Sequence, residues 1–157
     1  MKKTLVAGIG NLLLGDDGFG PEIIRTLEKE KLPDNIELRD IGIAGVTTAT
    51  EIDDYEFVIF VDAMEIGEKP GSLKLMKIEV ENISPEEVLD LSRFSVHELS
   101  LETILKISKA MDTLPEEVYI LGCQPERLEV GCILSPEVRD VIPAAVEKIL
   151  NLIENKD

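Results

Sequence analysis

The chain has one histidine, two cysteines and no apolar run that approaches the length of a membrane span, and each scarcity removes a class of function. With a single imidazole, any Ser-His-Asp or Cys-His site has to use His97, and an H-E-x-x-H zinc helix cannot exist. Neither Ser95 nor Cys123 stands in a nucleophile-elbow sequence, so the standard serine, cysteine and zincin protease mechanisms have no motif here. Cys123 and Cys132 are spaced like no common zinc knuckle, and in an intracellular chain with a core of this size they are expected to be free, buried thiols. Basic residues are few as well. Against 32 Asp and Glu there are 16 Lys and Arg, and the net charge of −16 repels phosphate backbones and anionic lipid, which excludes nucleic acid and membrane surfaces as partners. Most of that charge is a solvated surface, though it also favours a metal or a basic peptide. The opening Met1-Lys2-Lys3-Thr4 starts like a signal peptide, but Gly8, Gly10, Asn11 and Asp16 break the apolar stretch that follows. A cytoplasmic protein is expected.

At 157 residues with 44% hydrophobic content, the chain is long enough to close one core, so a single domain over residues 1–157 is expected. Thr4 to Gly10 reads as a buried strand entering a glycine turn, and Pro21 with Phe19, Ile23, Ile24 and Leu27 predicts a helix ending before Pro33. Asn35 to Ile43 alternates loosely as a second strand, with Gly42 and Gly45 at its exit. Tyr55 to Asp62 is a continuous β-branched and aromatic run, the pattern of a parallel strand covered on both faces. Ser72 to Val80 alternates as an edge strand would, Ser84-Pro85-Glu86-Glu87 caps a short helix through Leu91, and Ser92 to His97 is a loop. Leu99, Thr103, Ile104, Ile107 and Met111 mark a helix, Val118 to Gly122 a strand, and Ser135-Pro136-Glu137 caps a last helix through Leu152. Alternating strands and helices predict a three-layer α/β/α sandwich on a mostly parallel sheet.

In open α/β sheets ligands bind beyond the carboxyl ends of the strands, so polar residues just after a strand are the candidates. Gly8-Ile9-Gly10 begins like a dinucleotide fingerprint, but Leu13 occupies the place of its third glycine, and Asp16 and Asp17 would repel a phosphate. The two acids suit a helix N-terminus or a cation. Asp62 ends an apolar strand, where a charge is costly unless it is paired, hydrogen-bonded or bound to a cation, and a turn acid accepting backbone N–H groups is the plainer alternative. His97 lies in a short loop between Ser95 and Glu98 rather than on an apolar face. Two carboxylates and an imidazole are a plausible set for Zn²⁺ or Ni²⁺ with positions left open. Cys123-Gln124-Pro125 falls on the same rim, with Gln124 able to hydrogen-bond a substrate backbone or simply to belong to a proline turn.

Taken together, Gly8-x-Gly10-Asn11-x-Leu13-x-x-Asp16-Asp17-Gly18-x-Gly20, Val61-Asp62-Ala63, Ser95-x-His97-Glu98-Leu99 and Gly122-x-Gln124-Pro125 resemble the nickel-iron hydrogenase maturation endopeptidases over nearly the whole chain. The resemblance implies removal of a C-terminal extension from a hydrogenase large-subunit precursor after nickel insertion. It further implies that Asp17, Asp62 and His97 contact nickel supplied by the substrate, with Asp16 or a ligating carboxylate as general base and Asn11 and Gln124 as substrate contacts. The resting protein is then expected to carry no metal of its own, other divalent ions such as zinc or cadmium being able to use the same residues, and to be a monomer. Many members of that family carry Asp-Glu where this chain has Asp16-Asp17, which points to a different hydrogenase partner. Two other readings stay open: a metallohydrolase with permanent zinc at the same residues, and a nickel-binding assembly factor that never cuts.

Overall fold

The computed structural model describes residues 3–42, 45–82, 101–131 and 133–156. Five strands form one sheet: β1 (Thr4–Ile9), β2 (Ile36–Gly42), β3 (Phe57–Ala63), β4 (Leu73–Ile78) and β5 (Glu117–Cys123), in the order β2-β1-β3-β5-β4. All neighbours run parallel except β4, which joins the edge antiparallel to β5. The helices are α1 (Phe19–Leu27), α2 (Gly45–Glu51), α3 (Leu101–Ala110), α4 (Pro136–Arg139) and α5 (Ile142–Lys156). Among the described residues, no helix is long and apolar enough to cross a membrane.

The continuous apolar strands become two cores because successive side chains point to opposite faces. Leu5, Ala7, Ile9, Val58, Phe60, Val118 and Ile120 face one way and pack with Ala49 and Ile52 near α2 and with Leu101, Ile104 and Ile107 of α3. Val6, Phe57, Ile59, Val61, Leu121 and Cys123 face the other, against Phe19, Ile23 and Leu27 of α1 and Val138, Ile142, Ala145 and Ile149 of α4 and α5. This is the expected single-domain three-layer arrangement. The antiparallel edge at β4 falls in the stretch Ser72 to Val80 that reads as an edge strand; Lys74, Leu75 and Lys77 are exposed, while Met76 and Ile78 pack against the core on the α3 side.

Helix α2 has no counterpart in the reading of the sequence. Its Thr-rich stretch Val46-Thr47-Thr48-Ala49-Thr50 has poor intrinsic helix propensity, so no local signal announces it. Tertiary contacts supply the stability: Ala49 and Ile52 are buried, and the Thr113 hydroxyl, beyond α3, donates to the Ala49 carbonyl at 2.7 Å. The last helix is also divided. Ser135 caps α4 as predicted, its Oγ accepting from Val138 N, but a turn at Asp140 and Val141 precedes α5 and places Pro143 in the new helix's first turn, where its missing N–H costs nothing. The capped helix at Ser84, the loop to His97, and Cys132 lie outside the described residues.

The topology places the site. From β1 the chain crosses through α1 on one face to reach β2, then through α2 on the opposite face to reach β3, on the other side of β1. The connections leave β1 and β3 in opposite directions, which opens a crevice at their carboxyl ends. The two loops lining it begin at Gly10 and at Met64, and each carries or borders one of the candidate acids.

Candidate active site

The turn after β1 folds back sharply onto the strand ends. Gly10 adopts φ +135°, and a Cβ there would lie 1.9 Å from the carbonyl oxygen of Asp17. A Cβ on Gly20 would meet the carbonyl oxygens of Ile9 at 2.3 Å and Val61 at 2.6 Å, so α1 packs directly on the ends of β1 and β3 because that residue has no side chain. The glycine spacing that imitates a nucleotide fingerprint therefore serves backbone packing. It brings the short 3-10 turn Gly15–Gly18, with Asp16 and Asp17, over the crevice.

Asp17 and Asp62 come together there. Asp17 is half-buried, and its Oδ2 accepts the backbone N–H of Asn11 at 2.8 Å. Asp62, the penultimate residue of β3, pairs in register with Gly122 of β5. Burial pushes its carboxyl up to about 8, the negative charge of Asp17 pushes the same way, and the Ala63 N–H opposes both. The Asp17 carboxyl is also raised, by burial, against the Asn11 hydrogen bond. Below that value the proton stays on Asp62, and a cation bound by the two carboxylates would have to displace it. Asp17→Asn is expected to lower the Asp62 midpoint, which carboxyl ¹³C shifts across a pH titration report; an unchanged midpoint means that the two carboxylates do not face each other.

Asp16, one residue earlier, has a different role from the one expected of it. Its side chain is 0% exposed. Oδ2 accepts from the N–H groups of Glu126 at 2.8 Å and Arg127 at 3.0 Å and from the Ser135 hydroxyl at 2.8 Å, while Oδ1 accepts from Ser135 N at 2.7 Å. Burial alone would raise its pKa, but these four donors outweigh it and hold the carboxyl below the ordinary 3.8. Its lone pairs are committed, so the assignment of Asp16 as general base is corrected: it anchors the loop after β5.

Gln124 is likewise corrected from substrate contact to internal tie. Its Oε1 accepts from Ile66 N at 2.8 Å and its Nε2 donates to Glu65 at 2.9 Å, which fixes the loop that leaves β3 just after Asp62. Asn11 acts through its backbone on Asp17, and its side-chain oxygen accepts from Leu13 N at 2.9 Å, a local Asx-type turn. Cys123 is buried and free, as expected, and its thiol is pushed up to about 12 by burial and by the Asp16 charge, so a thiolate nucleophile is ruled out at that position. His97 lies outside the described residues, and among those described no cluster of three or more His, Cys, Asp or Glu forms a metal site. The sequence reading placed Cys123-Gln124-Pro125 on this rim but did not anticipate that the loop beyond them closes on Asp16; Ser135, whose hydroxyl both caps α4 and donates to Asp16, was a signal for that.

Residues 21–152 match the family model described as hydrogenase maturation protease. A putative hydrogenase maturation protease of Methanocaldococcus jannaschii is 36% identical over 160 residues, covering 98% of this chain and 97% of the relative. The crystal structure of a hydrogenase 2 maturation peptidase from Thaumarchaeota archaeon SCGC_AB-539-E09 superposes with a TM-score of 0.76 at 43% identity, covering 97% of this chain and 98% of that one. The hydrogenase maturating endopeptidase HybD from E. coli gives 0.81 at 29% identity, covering 98% and 93%. An acid pair at the switch point of a sheet of this topology, in a chain matched along its length by these proteins, leads to one conclusion: the chain belongs to the hydrogenase maturation protease family and is a peptide-bond hydrolase.

Proposed function

We propose that the protein removes the C-terminal extension of a hydrogenase large-subunit precursor after nickel has been inserted, and that it reads the substrate's nickel through Asp17 and Asp62, joined by His97. The observation that carries this reading is the convergence of Asp17 and Asp62, two electrostatically coupled carboxylates, at the crevice between β1 and β3. A half-buried acid pair whose members raise each other's cost of ionisation is costly to keep, and an incoming cation relieves that cost. Nickel arrives as part of the substrate, so the metal serves as the specificity check.

Docking the metal places the neighbouring peptide carbonyl against the pair, and a water attacks the carbonyl carbon. The C–O bond forms, the C–N bond breaks, and the water proton passes by way of the base to the departing amine. With Asp16 committed to four donors, Asp17, Asp62 and His97 remain as candidates for that base.

Incubation with nickel-loaded and nickel-free precursor, followed by mass spectrometry, tests the reading. Loss of a C-terminal peptide from the loaded precursor alone is expected. Equal cleavage of both overturns the nickel check, and association without shortening favours the assembly-factor reading. Zinc copurifying in full stoichiometry favours the metallohydrolase. Asp17→Ala and His97→Ala are each expected to reduce cleavage by at least about 100-fold, as loss of a group that orients the reacting centre does; normal cleavage by either variant removes that residue from the site.

A further inference from the structure

Six large hydrophobic side chains are exposed among the described residues, and four of them, Leu13, Leu128, Val130 and Ile133, sit on the loops after β1 and β5. Exposure reaches 88% at Val130 and 75% at Ile133. These loops are not loose. Gly15 N donates to Gly131 O at 2.8 Å, Gly131 N to Leu13 O at 2.8 Å and Asp16 N to Arg127 O at 3.0 Å, beside a parallel bridge between Leu14 and Gly131. Beneath this zipper, the sealed Asp16 carboxylate holds Glu126, Arg127 and Ser135. A buried charge network is thus spent on holding apolar side chains out in water, the opposite of what folding alone favours.

Two hollows flank Ile133. One, of about 220 Å³, lies among Gly15, Arg127, Glu129, Val130 and Gly131. The other, of about 470 Å³, lies among Glu22, Leu134, Arg139, Ile142 and Pro143. The ledge is continuous with the acid pair: Leu13 N is bound by Asn11 Oδ1, and Asn11 N is bound by Asp17 Oδ2. Any molecule that presents a metal to Asp17 therefore lies within reach of Leu13.

We propose that this ledge, latched by Asp16, docks an extended apolar segment of the hydrogenase precursor next to the metal that Asp17 and Asp62 receive. The proposal rests on the reading that the precursor is the substrate, and it adds the surface that recognises its polypeptide. Apolar side chains of the segment lie over Val130 and Ile133 and enter the two hollows, while basic residues flanking it suit the net charge of −16.

The test is precursor cleavage by the full chain carrying Val130→Ser with Ile133→Ser, beside Met111→Ser, which removes an exposed apolar side chain from the turn after α3, at the opposite end of the sheet. The double variant is expected to keep its melting temperature, because both side chains are exposed, and to raise KM by about 10-fold or more while lowering kcat much less, the pattern of lost docking contacts. Met111→Ser is expected to behave as the unaltered protein. A KM within about twofold of the unaltered protein overturns the proposal. So does a dimer in sedimentation that the double variant dissolves, since the ledge is then a contact between copies. If the unaltered protein cuts loaded and nickel-free precursor alike, the nickel check fails and the KM comparison still decides the ledge. If it cuts neither, calorimetric titration with the precursor decides: weaker binding by the double variant supports the ledge, and equal or absent binding overturns it.

Discussion

Asp62→Asn is expected to abolish precursor cleavage and, at pH 7, to make the protein more stable. The folded protein holds the Asp62 carboxyl at about 8 against an ordinary 3.8, chiefly through burial and secondly through the charge of Asp17. Between those values the folded state keeps a proton that the unfolded chain has lost, so this residue's effect on stability turns against folding as pH rises through the window. A neutral amide of the same shape removes that liability, and a gain on the order of 2 kcal/mol at pH 7 is expected from urea denaturation. At pH 4 the gain shrinks towards zero, because the aspartate is then protonated in the native state and half-protonated in the unfolded one. A gain over the unaltered protein that is no larger at pH 7 than at pH 4 contradicts the raised Asp62 carboxyl, and a variant that still cleaves precursor removes Asp62 from the site. Activity and stability moving in opposite directions is the mark of a group kept for function.

Asp16→Ala is expected to be the most destabilising single change near the site. It strands the N–H groups of Glu126, Arg127 and Ser135 together with the Ser135 hydroxyl, which also caps α4. Unpaired buried donors cost about 1–3 kcal/mol each before relaxation, so a net loss of about 3 kcal/mol is expected by urea denaturation. Asp16→Asn should lose somewhat less, since one amide oxygen still accepts while the NH₂ group opposes N–H donors. Because the folded carboxyl is held below 3.8, its contribution is fully present above that value and is lost as pH falls through the folded pKa. The acid limb of unfolding should therefore flatten in Asp16→Asn. Limited trypsin digestion reads the local effect: Arg127, held by its own N–H and carbonyl in the unaltered protein, should be cut faster in the variant. Unchanged digestion and unchanged stability together contradict the anchor.

Much of this protein is legible residue by residue. The run Phe57-Val58-Ile59-Phe60-Val61 fits a strand buried on both faces, and the structure makes it one with Asp62 at its half-exposed end, because β-branched and aromatic residues suit a pleated core and a charge is costly to bury. Phe19, Ile23 and Leu27 with Pro21 similarly dictate α1, and Ser135 dictates the start of α4. Helix α2 was not legible: Thr-rich residues have no helical signal of their own, and the stabilising partners, Thr113 and the residues of α3, lie more than fifty positions beyond Ala49.

The adjacent acids divide sequence from tertiary structure most sharply. By itself the sequence determined that two carboxylates stand in a glycine turn after β1, at the end of the sheet where ligands bind. Which one meets the crevice was decided only in three dimensions. In a 3-10 turn neighbouring side chains diverge by about 120°, so Asp16 and Asp17 cannot share an environment. The donors that claim Asp16 arrive from positions 126, 127 and 135, more than a hundred residues away, and they leave Asp17 as the acid whose charge reaches Asp62, a carboxyl already made costly to ionise by its burial.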